Sequence, residues 1–168
     1  MRERLFTIGH SNHQADFFLE LLSSREAQVV VDVRSVPYSR YVSRFNKREL
    51  ETLCKLSGLK YLFMGDQIGG KPADGAFRDS RGRVDYAALA RSDHFRAGLD
   101  RLEKGLAAGW RIVLLCAEED PLRCHRHWLI AKELELVRRV KVWHLRADGS
   151  EMRAVDHFGG GPEQLGMF

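Results

Sequence analysis

The chain has 168 residues, a length typical of a single domain that buries a hydrophobic core without disulfides or metal ions. Apolar residues make up 44% and charged residues 30% of it, which is the composition of an ordinary globular protein and excludes a low-complexity or fibrous chain. The formal net charge of +4 permits an anionic partner but does not specify one.

Neither the start of the chain nor its cysteines indicate export. Residues 1–5 carry charge and no apolar segment, so we expect no secretory leader. The longest apolar run is too short to cross a membrane, and we expect no membrane association. Three cysteines, an odd number, do not indicate a disulfide framework, and we therefore expect a reducing, cytoplasmic environment.

Strands and helices are predicted to alternate along the chain. Apolar runs indicate strands at residues 5–8, 29–33, 59–64, 112–116 and 141–145. Helical spacing of apolar residues indicates helices near residues 17–22, 46–56, 95–106 and 121–137. The alternation predicts a single α/β domain over residues 1–148, with a mostly parallel sheet of about five strands and helices on both faces. Residues 149–168, which include a Gly-Gly-Gly-Pro run, are expected to form a flexible tail.

A long polar segment, residues 65–83, contains five glycines. A loop of that length in a compact domain is usually functional or mobile, so we expect a lid. Within it, Gly69 and Gly70 precede Lys71 and are candidates for close approach to a phosphate. The spacing matches neither a Walker loop nor a dinucleotide fingerprint.

Polar side chains follow three of the predicted strands. His10 and Asn12 follow the first, Asp32 and Arg34 the second, and Glu118 the fourth. Because the carboxyl ends of parallel strands meet at one edge of a sheet, we expect these side chains to converge on a ligand site. The alternative is that the loops are polar only because they are solvated.

Arginines are concentrated near the same strand ends. Guanidinium groups match phosphate oxygens bidentately, which favours an anion site. The alternative is a set of structural ion pairs, Asp32 with Arg34 and Glu118 with Arg126. The arginines are Arg34, Arg40, Arg44, Arg123 and Arg126.

The segment from residue 114 to residue 126 contains the highest density of reactive and charged side chains in the sequence. Asp120 and Pro121 predict a helix N-cap and first turn, which would place Cys124 at a helix N-terminus. A thiol there has a lowered pKa, and His125 or His10 is a candidate base for it. The segment fits neither the phosphatase loop, for which the distance from Cys116 to Arg123 is one residue too long, nor the glycine-rich rhodanese loop. The alternative is that Cys124 is an inert, packed side chain.

Two further assignments concern this segment. Glu118 is expected to be half-buried, with a raised pKa suited to general acid–base work, unless it only caps a helix or pairs with a cation. Zinc is disfavoured, because seven residues separate Cys116 from Cys124 and none separates Cys124 from His125, and adjacent Cys and His side chains rarely reach one ion. We therefore expect neither a metal nor another cofactor.

Several segments resemble a bacterial family called domain of unknown function 488, and the resemblance spans about residues 5–147. The segments are TIGHSN at 7–12, VDVRSVPYSR at 31–40, Phe45-Asn46, residues 58–61, Gly69-Gly70 and LCAEEDPLRCHR at 115–126. The resemblance implies signature positions but no reaction. These positions are His10, Asn12, Asp32, Arg34, Ser39, Arg40, Glu118, Cys124, His125 and Arg126.

Three functions stay open from the sequence. The first is an enzyme, a hydrolase or transferase acting on nucleotides or nucleic acid, with Glu118, His10, His125 and Cys124 as catalytic candidates. The second is a non-catalytic module that binds nucleic acid or a phosphorylated ligand. The third is a buried polar network without a ligand. Nothing in the sequence specifies the oligomeric state.

Overall fold

The structure is a computed structural model that describes residues 4–160, and it confirms the α/β class. One six-stranded sheet has the order β3-β2-β4-β1-β5-β6, in which only β6 runs antiparallel to its neighbour. The strands are β1 Arg4–Gly9, β2 Val29–Asp32, β3 Lys60–Phe63, β4 Ile112–Cys116, β5 Lys141–Leu145 and β6 Glu151–Arg153.

Helices cover both faces of the sheet, because the central strands are apolar on both sides. On β2, Val30 packs into the core beneath α1 and α2, whereas Val29 and Val31 pack into the core beneath the other helices. The helices are α1 Ala15–Ser23, α2 Lys47–Leu56, α3 Gly65–Ile68, α4 Tyr86–Ala90, α5 Asp93–Ala107 and α6 Lys132–Leu136.

The order of the strands opens a crevice at the carboxyl end of β4. The chain leaves β1 and β2 toward α1 and α2 on one face, whereas it leaves β4, which lies between them, toward α6 on the other. Adjacent connections that diverge to opposite faces leave a gap between them, which is where open α/β sheets bind ligands.

The segment after β4 differs from the continuous helix that the sequence predicts over residues 121–137. Asp120 caps the first turn as expected, since its Oδ1 accepts from the Leu122 N–H at 3.0 Å. That turn is a 3-10 helix that ends at Arg123, and Cys124 has an extended backbone with φ −141° and ψ 145°. A π-helix, Arg126–Ala131, then leads into α6. Cys124 therefore lies at a break between helices, and its expected place in a helical first turn is wrong.

Two other segments contain more structure than their composition indicates. Residues 151–157 form β6 and a 3-10 turn in which Ala154 is buried, while residues 161–168 of the expected tail lie outside the described residues. The glycine-rich segment 65–83 contains α3 and the 3-10 turn Gly75–Phe77. None of the helices between residues 4 and 160 is long and apolar enough to cross a membrane.

Candidate functional site

A cavity of about 290 Å³ lies in the crevice at the carboxyl end of β4. Five of the residues predicted from the sequence line it, and these are Arg34, Gly70, Glu118, Cys124 and His125. The other lining residues are Ser35, Val36, Lys71, Tyr86, Cys116, Ala117 and Arg123. The cavity thus brings together a thiol pair, an imidazole, a carboxylate and three cations. Of the five strand-end residues expected to converge, Arg34 and Glu118 line it, whereas His10, Asn12 and Asp32 do not.

Cys116, Cys124 and His125 form a compact cluster in this cavity. The Nε2–H of His125 donates to the Val33 carbonyl at 3.0 Å, which leaves Nδ1 unprotonated and facing the thiols. Nδ1 lies 3.9 Å from Cys116 Sγ and 3.7 Å from Cys124 Sγ. The two sulfurs and an imidazole nitrogen lie within 4.8 Å of one another, so the adjacent Cys124 and His125 do reach a common point, contrary to expectation. The two residues lie where the chain passes from the extended backbone of Cys124 to the helical backbone of His125.

The two thiols differ in acidity. Burial raises the pKa of Cys124, but the hydrogen bond from Cys116 and the positive charge of Arg126 oppose burial, and the pKa lies well below its usual range. The same hydrogen bond, together with burial, holds the pKa of Cys116 well above its usual range. Cys124 is therefore the thiolate of the pair, and Cys116 is its donor.

The glycines of the long loop serve close packing around this cluster. A Cβ at Gly70 would lie 2.5 Å from Cγ of His125, and one at Gly69 would lie 2.3 Å from the Oγ of Ser35. Ser35 Oγ in turn accepts from the Lys71 backbone N–H at 2.9 Å. The loop thus holds Lys71 at the cavity because its glycines allow the backbone to approach so closely.

Arg34 is fixed by an ion pair beneath the cavity. Its Nε and Nη2 donate to the two oxygens of the buried Asp32 at 2.8 and 2.7 Å, and Tyr61 donates to the same carboxylate at 2.6 Å. The structural pairing that the sequence left open is thus present. Nη1 of Arg34 donates to Nε2 of His10 at 3.1 Å, while Nδ1–H of His10 donates to the Ser11 carbonyl at 2.8 Å.

His10 is neutral in this arrangement. Burial and, to a smaller extent, the neighbouring Arg34 guanidinium lower its pKa to about 4 against the opposing effect of the Ser11 carbonyl. His10 and Asp32 do not line the cavity and contact it only through Arg34. Their arrangement orients a cation and does not expose a base.

Arg126 is fully buried beneath the loop that follows β4. Its Nη1 and Nη2 donate to the carbonyls of Glu118 and Glu119 at 2.6 and 2.9 Å, and its Nε donates to Thr7 Oγ1 at 3.0 Å. The expected ion pair with the Glu118 carboxylate is absent, because the guanidinium binds backbone oxygens instead. Arg126 does not line the cavity. Its hydrogen bonds instead stabilise the loop that carries Glu118.

A buried chain of hydrogen bonds, which the sequence did not reveal, extends from Arg126 to the backbone of His157. Thr7 donates to Nδ1 of His144 at 2.7 Å, and Nε2–H of His144 donates to Nδ1 of His127 at 2.9 Å. Nε2–H of His127 donates to the His157 carbonyl at 3.1 Å, which sets the direction of the whole chain. Thr7 and His144 are register partners on β1 and β5, so their contact becomes visible only once those strands are paired.

Glu118 is exposed at the rim of the cavity, and the expectation that it is half-buried is wrong. The close packing of Gly9 on the Glu118 carbonyl, where a Cβ would lie 1.8 Å from the oxygen, fixes the backbone and leaves the side chain in solvent. Its Oε1 accepts a long bond of 3.4 Å from the Asp120 N–H. A carboxylate at this position can contact a ligand in the cavity without being desolvated itself.

Three other predicted residues lie in neighbouring loops and do not line the cavity. Asn12 Oδ1 accepts from Arg44 at 2.9 Å. Ser39 Oγ accepts from the backbone N–H of Tyr41 at 3.1 Å. The exposed Arg40 donates to the Tyr41 hydroxyl at 3.1 Å, and its guanidinium lies 5.1 Å from the centroid of the Tyr41 ring. These contacts order the loops around the mouth of the cavity.

Comparison with known proteins identifies one family. A family model described as domain of unknown function DUF488 matches residues 14–132. The matched region contains every candidate residue named above except His10 and Asn12, which precede it. No curated protein and no solved structure matches the chain.

Proposed function

The chain belongs to the family described as domain of unknown function DUF488, and we propose that it binds and hydrolyses a small phosphate-bearing compound in the cavity at the end of β4. The observation that carries this proposal is that Arg34, Lys71 and Arg123 line the same small cavity as the Cys–Cys–His cluster. A convergence of cations and reactive side chains in one concave site is the usual arrangement for chemistry on an anion.

The dimensions of the cavity favour a small ligand. Its volume of about 290 Å³ lies at the lower end of the range for small-molecule sites. A phosphate monoester or the phosphate end of a nucleotide fits this space, with the remainder of a larger ligand outside. Exposed Tyr38 and Tyr41, at 68% and 80%, lie in the loop that continues from the lining residue Val36 and offer surfaces on which a base can stack.

The two positioned cations have different tasks. Arg34 is held rigidly by Asp32 and His10, which suits it to orient a phosphate group. Lys71 is exposed on a loop whose backbone is fixed at Ser35, so that its ammonium group can follow the charge of the ligand.

Glu118 is the acid–base candidate for the hydrolysis. It takes a proton from water as the water oxygen bonds to phosphorus and the ester P–O bond breaks, and it returns the proton to the departing oxygen. The products are an alcohol and inorganic phosphate. Arg126 and Thr7 act behind it as positioning residues, because they hold the backbone carbonyls of residues 118 and 119.

Ligand binding is tested by thermal unfolding with inorganic phosphate, phosphate monoesters, nucleotides and short single-stranded DNA and RNA at two salt concentrations. A ligand present at about 100 times its dissociation constant adds about 2.7 kcal/mol to the free energy of unfolding. We expect this gain for one phosphate-bearing class, with a marked loss in Lys71→Gln and none in Lys104→Gln, an exposed lysine of α5 that does not line the cavity. Equal responses of both variants, or no response to any phosphate compound, would overturn the proposal.

A response confined to nucleic acid, steeply weakened by salt and accompanied by no turnover, would favour the second candidate function, a binding module for nucleic acid. This second candidate is favoured by the exposed Tyr38 and Tyr41, because exposed aromatic rings are surfaces on which bases stack.

Catalysis is tested with Glu118→Gln. Because Glu118 is exposed, the substitution is expected to change the free energy of unfolding by less than about 0.5 kcal/mol. We expect it to lower kcat for phosphate release by about 100-fold or more while ligand affinity stays within about twofold, the magnitude typical of a lost general acid–base group. An unchanged kcat would remove Glu118 from the mechanism.

A further inference from the structure

We propose that Cys116, Cys124 and His125 bind one zinc ion at the inner end of the cavity. The three side chains come from the end of β4 and from the break between the 3-10 turn and the π-helix. Two sulfurs and one imidazole nitrogen are a ligand set that zinc prefers, and three protein ligands are the number found at catalytic zinc sites.

The distances agree with a tetrahedral ion. Zinc–sulfur bonds of about 2.3 Å and zinc–nitrogen bonds of about 2.0 Å place sulfur and nitrogen ligands about 3.6 Å apart at tetrahedral angles. In the structure the Nδ1 of His125 lies 3.7 Å from Cys124 Sγ and 3.9 Å from Cys116 Sγ. The nitrogen–sulfur distances therefore need shifts of only a few tenths of an ångström. The two sulfurs lie within 4.8 Å of each other and need to approach to about 3.8 Å, the separation of two sulfurs on a tetrahedral zinc.

The surroundings of the ligands are those of a metal site. The ring of His125 is fixed through its Nε2–H bond to the Val33 carbonyl, so that the unprotonated Nδ1 faces the two sulfurs. Metal-bound histidines usually donate their second ring N–H to such an oxygen, which sets the tautomer and the ring orientation. The backbone N–H of Arg126 donates to Cys124 Sγ at 3.4 Å, a contact that stabilises a sulfur ligand carrying negative charge.

A zinc ion accounts for the symmetry of the cluster better than a cysteine nucleophile does. A nucleophilic thiol needs one base directed at one sulfur. Here one nitrogen lies almost equally far from two sulfurs, and both cysteines are largely buried, at 7% and 8% exposure.

All three ligands line the cavity, so a fourth coordination position would face it. A zinc ion held there would lower the pKa of a bound water to about 7 and would supply an attacking group in the cavity that Glu118 also lines. This use of the metal rests on the proposed function, whereas the presence of the metal rests only on the three ligands.

The first experiment uses the full chain, freed of any polyhistidine tag and purified without chelator. We expect elemental analysis to find one zinc per chain. After removal of zinc, one equivalent of Co²⁺ should give thiolate-to-cobalt charge transfer and the visible bands of a tetrahedral ion. Absence of both stoichiometric zinc and the cobalt spectrum would overturn the proposal.

Variants assign the ligands. Cys124→Ser and His125→Ala should lose stoichiometric binding, whereas Cys54→Ala, a buried cysteine of α2 outside the cluster, should keep it. A cobalt spectrum that is unchanged in His125→Ala would overturn the assignment.

Wild-type protein provides a measurement that does not depend on the folding of variants. Zinc should protect Cys116 and Cys124 from alkylation, as mapped on peptides, and leave Cys54 unaffected; no protection would also overturn the proposal. None of these readouts uses phosphate, so failure of the metal site and failure of phosphate binding are distinguished.

Discussion

Gly70 lies directly against the imidazole of His125, and a Cβ at position 70 would lie 2.5 Å from Cγ of that ring. The ring has no room to retreat without losing its 3.0 Å bond to the Val33 carbonyl. A glycine in the middle of a loop thereby sets the position of a candidate metal ligand 55 residues later in the chain.

Gly70→Ala should therefore displace His125. We expect the affinity for Co²⁺ to fall by about tenfold or more, because losing a hydrogen bond that orients a metal ligand commonly lowers metal affinity by that factor. Crowding against the ring should also lower the free energy of unfolding by about 1–3 kcal/mol. Cobalt titration and urea unfolding measure the two effects. Gly75→Ala, in the same loop with nothing within 4 Å of its Cβ, is the control, and equal behaviour of the two variants would contradict the argument.

Arg126→Met should be strongly destabilising. The substitution leaves the Glu118 and Glu119 carbonyls and the Thr7 hydroxyl without their buried donor, which costs about 3–5 kcal/mol in total. Arg40→Met removes an exposed arginine and should change the free energy of unfolding by less than about 0.5 kcal/mol. Urea unfolding at pH 7.5 compares them. A loss below about 1 kcal/mol in Arg126→Met would show that the loop does not depend on this side chain.

The convergence of polar residues at the sheet edge followed from local pattern alone. Strand periodicity located the ends of β1, β2 and β4, and parallel pairing brings such ends together whatever the details of packing. Arg34 and Glu118 therefore line one cavity, whereas His10, Asn12 and Asp32, which the same pattern placed there, do not. Which of the charged groups pair with one another depended on side-chain geometry, and the Asp32–Arg34 pair was one of two open alternatives.

The features that the sequence did not reveal depend on contacts between distant residues. The Cys116–Cys124–His125 cluster exists because the helix expected after Asp120 breaks at Cys124, so spacing rules for a continuous helix did not apply. The exposure of Glu118 follows from the packing of Gly9 on its carbonyl. The Thr7–His144 contact requires the β1–β5 register, which no local pattern specifies.

His144 should make stability depend on pH. Burial lowers its pKa to about 2, and the positive charge of Arg126, the neighbouring His127, and Arg146 and His157 oppose protonation further. In the unfolded chain the imidazole has its ordinary pKa of about 6.5, so below that pH the unfolded state binds a proton that the folded state does not. The contribution of His144 to stability is therefore complete above pH 6.5 and is lost as the pH falls, by about 2 kcal/mol at pH 5.

The comparison that isolates this effect is wild type against His144→Gln, because glutamine can accept from Thr7 and donate to His127 without titrating. Urea unfolding is measured between pH 7.5 and pH 5, with a chelator present so that metal binding does not contribute. It gives, for each protein, the slope of the free energy of unfolding against pH. Between pH 6 and pH 5 the free energy of unfolding of the variant should fall less steeply than that of the wild type, by about 0.9 proton or about 1.2 kcal/mol per pH unit, whatever its stability at neutral pH. Parallel slopes would mean that His144 is protonated in the folded protein, and the one-directional hydrogen-bond chain from Arg126 to the His157 carbonyl would then be wrong.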